Sequence, residues 1–199
     1  GGTNLERYDG KTRKDDIKKY ILICIGIVVL IVLYVLTTRT IKRLSHPTPD
    51  MSIVIASTKI LDDTMSENAE NLLSPLVGDL DNNGKEVVEV VPLNLWRNSG
   101  IETDSDTSKL HDYIANGTYR LFLISSDANW KLYCKPSYCR ALPQDLADED
   151  SYFVKIPGNV LFQETKMGLI DFYACIQKNV TDAEYDAMVT LLRKLKAMS

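Results

Sequence analysis

Ile53-Val54-Ile55-Ala56 is an unbroken apolar run, the pattern of a short strand buried on both faces of a sheet. Just beyond it, Thr64-Met65-Ser66-Glu67 has the S/T-x-x-E spacing of a capping box, in which hydroxyl and carboxylate satisfy backbone donors reciprocally. Leu61, Met65, Ala69, Leu72 and Leu76 then recur at helical spacing. A strand followed at once by an amphipathic helix opens an α/β domain, and the rest of the chain keeps the alternation.

Downstream, Val87, Val88, Val90 and Val91 form a second β-branched strand, and residues 107–115 a weaker helix with Leu110, Tyr113 and Ile114 on one face. Asn116-Gly117 closes that helix, supplying the left-handed residue a C-cap prefers. Leu121-Phe122-Leu123-Ile124 is a third buried strand. Residues 126–150 read as a loop, and Tyr152, Val154 and Ile156 alternate with polar neighbours as in an edge strand. Residues 169–176 (LIDFYACI) give a further strand. Thr181-Asp182-Ala183-Glu184 is a second capping box, opening a helix with Tyr185, Met188, Leu192 and Leu195 inward. The order β-α-β-α-β-loop-β-β-α predicts an α/β fold over residues 51–199, with a mainly parallel sheet and helices on both faces.

Upstream, residues 20–36 (YILICIGIVVLIVLYVL) carry no charge, and Thr37 and Thr38 extend the run. At about 1.5 Å per residue the segment just crosses a hydrocarbon core of roughly 30 Å, so residues 20–38 are expected to be a transmembrane helix in the lipid bilayer. No small-residue cleavage site follows it. Arg7, Lys11, Arg13, Lys14, Lys18 and Lys19 precede the span, against Arg39, Lys42 and Arg43 after it. The positive-inside rule therefore puts a basic tail, residues 1–19, in the cytoplasm and the domain outside the cell membrane. Residues 39–50, with Pro47 and Pro49, form the linker.

Charge narrows the partners. Residues 1–50 hold nine Lys/Arg against five Asp/Glu, whereas residues 51–199 hold fourteen against twenty-two. An acidic domain is a poor partner for nucleic acid, whose affinity rests on cations at phosphates.

Three constellations are candidates for chemistry. Asp79-Leu80-Asp81-Asn82-Asn83-Gly84-Lys85 matches D-x-[DN]-x-[DN]-G, the first half of an EF-hand calcium loop. Asp79, Asp81, Asn83 and the Lys85 carbonyl would be the ligands if the loop holds Ca2+. Position 12 is Val90 rather than Glu, so the alternative is a plain acidic turn using Asn83-Gly84 for φ > 0. The second is a ligand crevice beyond the carboxyl ends of the parallel strands. It would draw on Ser57 and Thr58 after the first strand and Ser125, Ser126 and Asp127 after the third, with Trp96 or Trp130 as walls. The third is Cys134 and Cys139, spaced C-x4-C about Pro136, which can close a small disulfide loop outside the cytoplasm. Cys24 falls in the span, and Cys175 is expected in the core.

No G-x-S-x-G, Walker A, G-x-G-x-x-G or H-E-x-x-H motif is present, and the two histidines are His46 in the linker and His111 on an exposed helix face. The expectation is a non-catalytic binding or interaction module, with a solute-receptor-like domain as the alternative and a hydrolase built on His111 behind both. The run from Asp79 to Val90, with the basic N-terminus, single span and closing strand-helix, resembles small single-pass proteins of Gram-positive bacteria that display an extracytoplasmic α/β domain with a DxDxNG-type loop. That group carries no established activity, so the resemblance implies architecture and no catalytic residue.

Overall fold

The computed structural model describes residues 17–35, 48–95, 106–148, 151–163 and 165–199. The chain divides into two compact units, Gly1–Pro47 and Thr48–Ser199. In the first, helix α1 (Ile17–Val35) has 19 residues and a mean hydropathy of 2.4. It begins before Tyr20 and takes in Lys18 and Lys19; residues 36–47, including His46 and most of the expected linker, lie outside the described residues.

The second unit is built on five strands: β1 (Met51–Ser57), β2 (Val88–Asn94), β3 (Leu121–Ser125), β4 (Val154–Ile156) and β5 (Phe172–Ile176). Their order across the sheet is β2-β1-β3-β5-β4. β1 pairs in parallel with β2 and β3, whereas β5 pairs antiparallel with β3 and with β4. The sheet is thus mixed rather than mainly parallel by pairing. The helical crossovers that enforce parallel neighbours occur only before β3. Beyond it, β5 enters between β3 and β4 and opposes both. β2 lies at the edge, where Pro92 removes a donor that no neighbouring strand needs. β4 is the opposite edge strand, alternating buried, exposed, buried as its sequence pattern implies.

Helix α2 (Asp63–Val77) begins earlier than the Thr64 capping box would have it, because the Asp62 side chain caps the Met65 amide at 2.8 Å. Ala69 and Leu73 are its buried contacts. They join Ile53, Ile55, Leu121, Leu123, Ala174 and Ile176 and the inner face of helix α5 (Asp182–Ala197) in one hydrophobic layer. At the start of α5 the Thr181–Glu184 capping box forms as the sequence implies, with Glu184 N donating to Thr181 Oγ1 and Thr181 N to Glu184 Oε2. Lys194 reaches back to donate to the Leu76 carbonyl at 2.6 Å, so a cation of α5 satisfies an end carbonyl of α2.

The opposite face carries Val54, Ala56, Phe122, Ile124 and Cys175, covered by helix α3 (Asp106–Asn116) through Leu110 and Ile114. The rest of this face is capped by residues 126–139, which contain a 3-10 turn at Trp130–Leu132. Between β4 and β5 the chain makes a one-turn helix α4 (Gly158–Leu161) and a 3-10 turn at Lys166–Leu169. Part of the expected 169–176 strand is therefore turn, and Leu169 is exposed.

Candidate ligand-binding site at the strand ends

Because β2 and β3 leave β1 on opposite sides, the ends of β1 and β3 form the switch point at which doubly wound sheets place ligands. Thr58 Oγ1 donates to the Asp127 carboxylate, and the Thr58 amide faces Ser125 Oγ at 3.4 Å. Ser57 Oγ accepts from the Lys59 amide at 3.0 Å and lies 3.7 Å from Met167 Sδ. The Ser126 amide donates to the Asp171 carbonyl. Of the five residues expected at a crevice, Thr58 meets Ser125 and Asp127, Ser126 is tied to Asp171 instead, and Ser57 and Ser125 are buried and spent on holding the loops.

The open space lies beside them. A cavity of about 570 Å3 is lined by Thr58, Lys59 and Ile60 from the loop after β1, Met65 from α2, and Thr165, Lys166 and Met167 from the segment before β5. Its apolar lining is Ile60, Met65 and Met167; its charged groups are Lys59 and Lys166. Among the described residues neither lysine makes an ion pair. The volume lies within the range of small-molecule sites, and an apolar wall with a few polar groups is their usual chemistry.

Of this lining, sequence reasoning placed only Thr58 at the crevice and Met65 on an inward helix face. Lys166 and Met167 belong to an irregular segment with no periodic signal. The expected aromatic walls are elsewhere. Trp130 stacks on Tyr173 at 3.8 Å between centroids, with Phe153 edge-on, on the opposite face of the sheet. Trp96 lies outside the described residues.

The 79–85 loop occupies the other rim, as its position before β2 requires. One oxygen each of Asp50, Asp79 and Asp81 lies within 4.8 Å of the others. Asp79 accepts the amides of Asn83 and Gly84, and Asp81 accepts the amide and side-chain nitrogen of Asn83. Asn83 Oδ1 in turn accepts from the Lys85 amide. The positive φ values fall on Asn82 (58°) and Gly84 (80°), rather than on Asn83. Asp50 was not singled out in the sequence, yet it ties the rim together by accepting from Leu80, Asp81 and Val87. Burial pushes its carboxyl up, but the amides of Val87, Leu80 and Asp81 outweigh this and hold it below the usual range. These bonds make a self-supporting turn in which every Asp oxygen concerned already has a donor.

The cysteines of the domain are free thiols, so the expected Cys134–Cys139 bond is not formed in this structure. His111 is exposed, with its ring edge against Tyr138 at 5.8 Å.

Comparison of the chain with protein-family models, with curated proteins and with solved structures gives no match in any of the three.

Proposed function

We propose that this protein is a single-pass membrane protein whose domain lies outside the cytoplasm as a non-catalytic binding module. Its ligand is a small organic anion with an apolar body, taken into the strand-end cavity. The observation that carries the reading is the cavity at the carboxyl end of β1, walled by Ile60, Met65 and Met167 and flanked by Lys59 and Lys166. A carboxylate or similar head group would meet the two ammonium groups, while Met65, Met167 and Ile60 would cover the chain behind it. The methionines suit this role, since an unbranched thioether side chain adapts to irregular apolar shapes. The apolar α1 supports the anchor, and the excess of basic residues before the uncharged run at 20–36 supports the orientation.

The test is nuclear magnetic resonance of the labelled 48–199 domain, a compact unit with its own two hydrophobic layers. Titration with octanoate should move the amides of Thr58, Lys59, Ile60, Met65 and 165–167. Shifts confined to other surfaces would overturn the assignment. Protease treatment of intact cells tests the orientation: the domain should be removed and a membrane-bound N-terminal fragment remain.

A further inference from the structure

Met65 and Thr165 wall the strand-end cavity, and they also wall a second one. This second cavity, of about 220 Å3, is otherwise lined by Asn68 and Leu72 of α2 and by Leu161, Phe162 and Gln163 on the facing segment. Met65, Asn68 and Leu72 are spaced i, i+3, i+7, so they share one face of α2 that runs from the first cavity into the second. Between Met65 and Leu72 the helix rises about 10 Å.

The two cavities differ in chemistry. Lys59 and Lys166 flank the first, whereas among the described residues no charged side chain lines the second. Leu161 and Phe162 are buried and Leu72 is half-buried, and the Phe162 ring packs on Phe172 of β5 with centroids 5.6 Å apart. Asn68 and Gln163 are exposed and form the polar rim. At the junction, Thr165 Oγ1 donates to the Phe162 carbonyl at 3.1 Å, so that hydroxyl is spent within its own wall. Met65 opposite has a thioether, which holds no hydrogen to donate and adapts to the shape beside it. A methylene chain therefore passes from one cavity to the other without breaking a hydrogen bond of the junction.

We infer that the ligand class of this site is the straight-chain fatty acids longer than octanoate. The carboxylate lies at Lys59 and Lys166, and the tail passes between Met65 and Thr165 onto Leu72 and Phe162. The inference rests on the strand-end cavity being the ligand site and adds to it a selection for chain length. Each methylene carried into the second cavity should raise affinity by about fourfold.

The experiment titrates the 48–199 domain calorimetrically with octanoate, decanoate and dodecanoate, each below its micelle concentration. It repeats the series on Asn68→Trp and on Gln163→Trp, which fill the second cavity from opposite walls at exposed positions. Unchanged octanoate binding reports that each variant is folded. The expected result is affinity rising by about fourfold per methylene beyond octanoate in the native domain, with that gain lost in both variants. Octanoate binding with no gain for the longer acids, or a gain that survives both tryptophans, would overturn the inference and leave the first cavity as the ligand site. Absence of binding by all three acids would overturn the reading of the site and this inference together.

Discussion

The Thr58 hydroxyl donates to the Asp127 carboxylate, joining the loop that leaves β1 to the loop that leaves β3 across 69 residues of chain. The bond sits at the point where the sheet's connections diverge, and it fixes the residue from which Lys59 and Ile60 run on into the cavity wall. Thr58→Val keeps the shape and removes the donor. It is expected to cost about 1 kcal/mol in urea unfolding, and to weaken ligand binding through the displaced 58–60 loop.

Gly158 is the position where the wall behind Met167 is least tolerant. A Cβ there would lie 2.1 Å from the Ile170 carbonyl oxygen and 2.4 Å from that of Met167, both backbone atoms that cannot swing away. Gly158→Ala should destabilise the domain by about 2 kcal/mol or more and broaden the amide signals of 165–170. Gly78→Ala meets open space but a φ of +79°, so its cost should be nearer 1 kcal/mol.

How much of this was legible in the sequence depended on whether a residue's role is periodic or positional. β1, β3 and α5 announce themselves through unbroken apolar runs and a capping box, because burial on two faces and helix-end satisfaction leave local marks. The strand-end rule located Thr58 and Asp127 for the same reason. Lys166 and Met167 were not legible: they reach the cavity only because the turn at Lys166–Leu169 sets Met167 against Ser57 at the end of β1. The antiparallel entry of β5 was hidden too, since an apolar strand reads alike in either direction.

The far rim makes a pH prediction. Asp50 titrates below the ordinary carboxyl range when folded, and so does Glu184, chiefly through the Thr181 amide. A depressed folded pKa gives stability that is complete above the unfolded values, about 4, and is lost as pH falls through the lower folded ones. Asp50→Asn should lower the melting temperature at pH 7 and flatten the loss of stability below about pH 4.

Divalent cations give a separate test of the 79–85 loop. Its carboxylates are engaged by amides of the same loop, so the melting temperature should be equal in calcium, in magnesium and in EDTA. A calcium-specific rise abolished by Asp81→Ala would make the loop a metal site instead, since a ligand of the native state alone must stabilise it.

The most direct measurement is calorimetric titration of the 48–199 domain with octanoate and, separately, with octylammonium. If the cavity flanked by Lys59 and Lys166 is the ligand site, octanoate binds, octylammonium does not, and Lys59→Glu with Lys166→Glu weakens octanoate by about tenfold or more. Equal binding of the two ions, or octanoate affinity unchanged in the double variant, would contradict the account.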